Sequence, residues 1–347
     1  MIAVADIERL CCPASGQPLT LLDTRTEDLR LDGLAARADS LFGCTTQVLV
    51  RADTAGAYPV VRGIPVLLEP EMLAVGRTAP ADLDDPRWAE AYLEMGFYSQ
   101  AADQTDADQF REVLSRARNA PPWSAEWVDA PYDAAAQYDA VRFLGGRRGV
   151  VLQLGGKGLH AVKALLAGSE KAWLITPMLS EALYARQLAE REGVADRFVP
   201  IVGIAEQLPL QDGTADAIYA GGCLHHMDTT HAAPEIRRVL ASGGHFAAVE
   251  PWSTALNRIG TKLLGKREPN AHCHPLDRRR LDPLFDTFGC VRMLHHGPLL
   301  RYMALTILKI TGREISPRTG LWLDRIDDSL PLPSRWGGSV AVLARKE

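Results

Sequence analysis

Between residues 150 and 250 the chain alternates compact apolar runs with stretches whose apolar residues recur every three or four positions. Val150–Leu154, 172–175, Phe198–Val202, 215–220 and 245–250 are the apolar runs, and they predict five strands. Val162, Leu165 and Leu166 repeat at helical spacing, and Gly168 falls where a helix C-cap belongs. Ser180 can cap a helix that carries Leu183 and Leu188 and stops near Gly193. Residues 235–240 read as another helix, and Ser242-Gly243-Gly244 as a turn. Strands that alternate with helices predict parallel βαβ units, hence an α/β, doubly wound, Rossmann-like sheet covered on both faces. Residues 290–295 and Ser339–Arg345 would close it as a final antiparallel pair, giving seven strands. An insertion with one helix is expected near 299–335.

Upstream the rhythm differs. Residues 1–73 are broken into short extended pieces by prolines and Gly63, as in a small β-rich domain. Residues 74–148 read as a helical linker or cap. Trp88, Tyr92, Met95, Phe97 and Tyr98 cluster at helical spacing there, and Trp123, Trp127, Tyr132, Gln137 and Tyr138 follow. Such a stripe packs as core or walls a pocket. Residues 149–347 form the nucleotide-binding unit.

Composition narrows the classes. The 347 residues carry a formal net charge of −5, which argues against a surface built to hold an extended nucleic acid. Six scattered cysteines, Cys11, Cys12, Cys44, Cys223, Cys273 and Cys290, read as free thiols in a reducing compartment. The N-terminus has no basic and apolar secretory pattern, and no apolar run approaches the ~20 residues of a membrane span. The expectation is a cytoplasmic protein with no membrane association.

The chemistry sits in the turns. Leu154-Gly155-Gly156-Lys157-Gly158-Leu159 joins a strand to a helix. Glycines let the backbone approach a ligand, and the helix start supplies unpaired N–H donors, so this is either a nucleotide cradle or a tight connection. Downstream come Ala205-Glu206-Gln207-Leu208-Pro209-Leu210-Gln211-Asp212, then Cys223-Leu224-His225-His226, then Arg237-Arg238-Val239-Leu240 before Ser242-Gly243-Gly244. In order and spacing these strings resemble the class I methyltransferases of the ubiquinone/menaquinone type. The resemblance implies S-adenosylmethionine as cofactor. It places Gln153, Gly155, Gly156, Lys157 and Gly158 against the amino-acid part and Thr176 at the ribose. Ile204, Ala205 and Glu206 fall around the adenine, with Cys223 at the border with the acceptor. The chain departs from that family's pattern at four points: Gln153, Lys157, Thr176 and Ile204 stand where an acid, a glycine, an acid and an Asp are usual.

The N-terminal segment has a second resemblance. Leu10-Cys11-Cys12-Pro13, with Tyr58-Pro59-Val60 and Gly63-Ile64-Pro65-Val66, is similar to the small zinc-ribbon-like domain of the tRNA-methyltransferase activator family. Of four zinc positions only Cys12 is kept; Ser15, Arg51 and Thr54 occupy the others, so a metal-free version is expected. It could dock on the catalytic unit or on a partner, or support a homodimer.

His225 and His226 are the catalytic candidates, because an imidazole at the carboxyl edge of such a sheet can accept a proton from an acceptor. The plainer reading makes them a fold signature. His272-Cys273-His274 with His295-His296 fits no zinc spacing, so no metal is expected. Tyr98, Gln137, Tyr138, Trp252, His272 and His274 are the acceptor-pocket candidates, with residues 87–138 as lid. Together these point to S-adenosylmethionine-dependent methyl transfer to a small molecule. Two alternatives stand beside it. One is consumption of the cofactor without methyl transfer, releasing methylthioadenosine. The other is a catalytically silent scaffold or binding subunit.

Overall fold

The computed structural model describes residues 3–23, 47–51, 57–68, 110–146, 148–254, 275–311 and 315–347. Its centre is a seven-stranded sheet. The strands are β5 (Val150–Leu154), β6 (Lys171–Thr176), β7 (Phe198–Val202), β8 (Ala215–Gly221), β9 (Leu240–Pro251), β10 (Val291–His296) and β11 (Ser339–Arg345), in the order β10-β11-β9-β8-β5-β6-β7. β7, β6, β5, β8 and β9 pair in parallel. β11 runs antiparallel between β9 and β10. This is the doubly wound, seven-stranded α/β sheet with a final antiparallel pair that the strand and helix rhythm predicts.

Alternate side chains of each strand enter two cores, as the period of a strand requires. Leu152, Leu154, Trp173, Ile218 and Phe246 face one side, where helix residues Ile236, Leu281 and Leu284 cover them. Val151, Ala217, Tyr219 and Ala247 face the other, beneath Ala136, Ala140 and Leu144. The turn expected at 242–244 lies inside β9. Ala215 opposes Leu240 and Ala217 opposes His245, so residues 241–244 bulge out of the ladder, with Gly243 at φ 74°.

The insertion differs from expectation. It holds two helices, Leu300–Thr311 and Pro317–Asp328, not one. The second starts because Ser316 accepts a hydrogen bond from Thr319 N and Pro317 takes the first turn, where its missing N–H costs nothing. Carboxylates tie this pair to the sheet edge. Asp327 accepts from Leu299 N and Arg301 N, Asp324 accepts from Ala135 N, and Arg301 pairs with Asp133 at 2.8 Å. Among the described residues no helix is long and apolar enough to cross a membrane.

The N-terminal segment contains an antiparallel sheet of β1 (Leu19–Asp23), β2 (Gln47–Arg51), β3 (Ala57–Val61) and β4 (Ile64–Pro65). Cys12 is buried in it, with Sγ 3.1 Å from Tyr58 Oη and 3.9 Å from Arg51 Nη1. Burial pushes this thiol up, but hydrogen bonds from Ser15, Tyr58 and Arg51 outweigh it and hold Cys12 below the usual thiol range. Of the 74–148 stretch, Arg111–Arg118 and Ala134–Leu144 are helical. The aromatic stripe from Trp88 to Tyr98 lies outside the described residues.

His296, at the end of β10, is gripped from both ring nitrogens. Nδ1 lies 2.5 Å from Asp328 Oδ2 and Nε2 3.0 Å from Asp139 Oδ2. Burial alone would lower its pKa; the two carboxylates override this and raise it to about 9. A raised folded-state value stabilises the fold below the unfolded pKa of about 6.5 and loses that contribution as pH climbs through about 9. His160 and His295, pushed down to about 4, change charge only below that window. The wild type's melting temperature should therefore fall by a few degrees relative to that of His296→Gln between pH 6.5 and 9.5 in thermal scans. The variant should keep the folded circular-dichroism signature.

Candidate cofactor site

In a parallel sheet the loops after successive strands meet at the carboxyl edge. Here the loops after β5, β6, β7 and β8 enclose one cleft, lined by Gly155, Gly156, Thr176, Met178, Glu181, residues 203–206, Gly221, Gly222, Cys223, His226 and Met227. The first loop depends on glycine. Gly155 has φ 68°, and a Cβ there would sit 2.9 Å from Cys223 Cβ. Gly158 caps helix Leu159–Leu166 at φ 78°, where a Cβ would sit 2.5 Å from Ala185 Cβ. Side chains at either position would close the turn or push the following helices apart.

Gln153 explains its own departure from the family pattern. Its Nε2 donates to Gly155 O at 2.8 Å and its Oε1 accepts from Ala161 N at 2.8 Å. An amide can donate and accept at once, whereas a carboxylate can only accept. Gln153 thus braces the glycine turn from behind and does not line the cleft. Lys157 also lies outside the lining, with Nζ 5.8 Å from the Tyr184 ring centroid. Burial lowers its pKa and the charge of Glu181 opposes that shift.

At the end of β6 the structure adds a residue that motif reading missed. Thr176 Oγ1 donates to Glu181 Oε2 at 2.6 Å, both side chains are buried, and both line the cleft. Glu181 sits in the first turn of helix Leu179–Arg191, where the helix dipole favours an anion. The available signal was an acid just after the strand; the motif looks for it on the strand itself. Ile204 and Ala205 form an apolar wall, and Glu206 Oε1 accepts from Asp228 N at 2.9 Å. Cys223 Sγ donates to Leu154 O at 3.1 Å, linking the loops after β5 and β8.

The two histidines take different places. His226 lines the cleft. His225 stands behind it, ring against ring at 3.9 Å, with Nδ1 2.5 Å from Glu250 Oε2. Glu250 is fully buried and also accepts from Cys223 N at 3.1 Å and Leu224 N at 2.8 Å. One carboxylate on β9 therefore sets both the loop and the imidazole.

The acceptor candidates among the described residues, Gln137, Tyr138 and Trp252, do not line this cleft. Gln137 accepts from Asp129 N and Ala130 N, and its helix Ala134–Leu144 covers the sheet face, so its side chain serves as a loop strut. Tyr138 lies between the guanidinium groups of Arg142 and Arg325, at 5.6 and 5.5 Å. Trp252, just past β9, packs edge-on against His295 at 4.8 Å. Tyr98, His272 and His274 lie outside the described residues. Among the described residues no three His, Cys, Asp or Glu side chains gather as a metal set.

Part of the chain is similar to known proteins. Residues 154–248 match the family model described as a methyltransferase domain. Uncharacterized methyltransferases of Mycobacterium tuberculosis and Mycobacterium bovis are each 39% identical over 62 residues, 18% of this chain and 25% of theirs. The chain thus spans about a quarter of the length of the curated relatives it matches. Among solved structures, geranyl diphosphate C-methyltransferase of Streptomyces coelicolor A3(2) is 18% identical with a TM-score of 0.45, covering 62% of this chain and 79% of its own. The YcgJ protein of Bacillus subtilis is 18% identical with a TM-score of 0.44, covering 61% and 98%. Residues 154–248 thus carry the class I methyltransferase fold, and the family match over that segment supports S-adenosylmethionine as the cofactor.

Proposed function

We propose that this protein transfers a methyl group from S-adenosylmethionine to a small-molecule acceptor. The observation that carries the reading is the buried Thr176–Glu181 pair on the cleft wall. It supplies the carboxylate for a ribose diol that β6 itself lacks. A carboxylate accepting two hydroxyls makes charge-assisted bonds that a lone threonine cannot.

The remaining roles follow from position. The main chain of Gly155 and Gly156 faces the amino-acid part of the cofactor, with Gly158 setting the turn and Gln153 bracing it. Ile204 and Ala205, with Met178 opposite, wall the adenine, and Glu206 closes that end. Cys223 holds the border between cofactor and acceptor. When bound, the cofactor supplies an electrophilic methyl on a sulfonium for in-line displacement. The chain's part is orientation and exclusion of water more than acid–base power.

Where the acceptor carries a proton, His226 at the cleft wall and His225 behind it are the catalytic candidates. A Nδ1–H held by Glu250 makes Nε2 the basic nitrogen of His225. Trp252 stands at the same edge as an acceptor-side wall, and Tyr98, His272 and His274 keep that assignment as part of this reading.

The same reading divides the chain into a small domain at 1–73, a helical linker at 74–148 and a catalytic unit at 149–347. Within it, the motif strings resemble the ubiquinone/menaquinone type, and the first domain reads as a zinc-ribbon relative without metal. Arg51, at a position that the zinc-ribbon resemblance assigns to a ligand, brings a guanidinium to 3.9 Å from Cys12 Sγ. The free cysteines described, Cys11, Cys12, Cys223 and Cys290, favour a cytoplasmic setting.

Isothermal calorimetry tests the cofactor assignment. S-adenosylmethionine and S-adenosylhomocysteine should both bind, and Glu181→Gln should weaken both by about tenfold, the loss of one charge-assisted bond. Binding of neither ligand to the wild type would favour the scaffold reading. Incubation with S-adenosylmethionine alone, followed by chromatography, should yield no methylthioadenosine; its steady release without an acceptor would replace methyl transfer with cofactor cleavage.

A further inference from the structure

The N-terminal sheet is built into the wall of the cofactor cleft. Beyond β4, Val66 bridges Val202 in parallel register, and Leu67 N donates to Val202 O at 2.8 Å. The chain therefore extends the edge of the central sheet at β7. The residues that follow Val202 are 203–206, the adenine wall of the cleft. At the other end of the same loop, Cys11 N donates to Pro209 O at 3.1 Å and Gln211 N to Arg9 O at 2.9 Å, with Leu10 bridging Leu210. Main chain from the N-terminal segment thus pins the loop on both sides.

Packing repeats the pattern. Val61, Ile64, Val66 and Leu68 form one buried cluster with Ala182, Val202 and Ile204. Ile204 presents to the cleft, and Ala182 is the neighbour of Glu181. The N-terminal sheet backs both walls, the adenine loop and the helix turn that carries the carboxylate. Without it, β7 would be an open strand edge and the back of Ile204 would face water.

We infer that the N-terminal sheet is a positioning element for the cofactor. It holds residues 203–209 and the first turn of Leu179–Arg191 in the shape that receives the nucleoside. The inference rests on the S-adenosylmethionine reading of the cleft and goes beyond it by giving the N-terminal segment a task inside this chain. It also has a necessary consequence. Coupling between two sites is reciprocal, so a bound cofactor must stabilise the contacts at Leu67 and Cys11.

The test uses the full chain and three variants outside the cleft. Val66→Ala opens a cavity behind Ile204, with Ile64→Val as the milder change should the first not fold. Leu144→Ala, the control, opens one in the core beneath helix Ala134–Leu144, a cluster that holds no residue of the N-terminal segment or of 203–209. Calorimetry with S-adenosylhomocysteine is run where circular dichroism shows each variant folded. Hydrogen exchange by mass spectrometry follows peptides covering residues 9–12 and 64–68, with and without the ligand. The expected result is a loss of fivefold or more in affinity for Val66→Ala, or a smaller loss of at least twofold for Ile64→Val, against less than twofold for Leu144→Ala. Exchange in both peptides should slow tenfold when the wild type is saturated. Unchanged affinity in the Val66 and Ile64 variants, or exchange indifferent to the ligand, would overturn the inference and leave the cofactor reading intact. A wild type that binds no S-adenosylhomocysteine would instead remove that reading, and this inference with it.

Discussion

Parallel pairing of the five strands β7, β6, β5, β8 and β9 is the constraint on which the rest of the molecule depends. Each parallel neighbour must be reached by a crossover, on a helix after β5, β6 and β8 and through the loop 203–214 after β7, so the loops that leave these strands open at the same edge. Apolar residues on both faces then demand cover from both sides, which the helices supply. The cleft is a by-product of this geometry: four loops converge because the strands beneath them run the same way.

Two sheet edges remain, and the chain treats them differently. At β7 the N-terminal segment continues the ladder through Val66 and Leu67 and contributes apolar backing. At β10 the two insertion helices close over the end of the strand through a set of charges, with His296 held between Asp139 and Asp328 and Arg301 against Asp133. Polar groups also fix the loops between these edges. Glu250, fully buried, is satisfied by backbone donors and the His225 ring. Lys163, also buried, donates to Trp127 O and to Asp129, both at 2.7 Å. Removing one member of such a buried pair costs about 3–5 kcal/mol because the other charge is stranded. The loops at the carboxyl edge are therefore held by interior polar anchors as well as by surface contacts.

Much of this was legible in the sequence, because long apolar runs and helical spacing report burial directly. The strands from 150 to 250 and the final antiparallel pair fall where those patterns put them. The second insertion helix was harder to see, since its start rests on a single Ser316-Pro317 cap. Gln137 and Tyr138 show a different limit. Helical spacing identifies a face but not what the face meets, and this helix meets the sheet and the flanking loop. The N-terminal brace was invisible for a third reason: it is made by main-chain hydrogen bonds at Leu67, Cys11 and Gln211, which leave no mark on side-chain pattern.

Glu181 shows why departures from a motif do not translate directly into lost chemistry. Thr176 removes a carboxylate from the strand end, yet a helix begins three residues later and its first turn points back over that same end. An acid placed there reaches the cleft and gains from the helix dipole, while Thr176 keeps a hydroxyl to orient it. Gln153 follows the same logic in reverse: the acid is gone, and the amide that replaces it binds the turn from both its ends. In this cleft a carboxylate stands beside the end of β6, supplied by the helix and not by the strand, and an amide stands behind the glycine turn in place of the motif's acid. The acids that the motif names on the strands are thus one way of placing such groups and not a requirement for them.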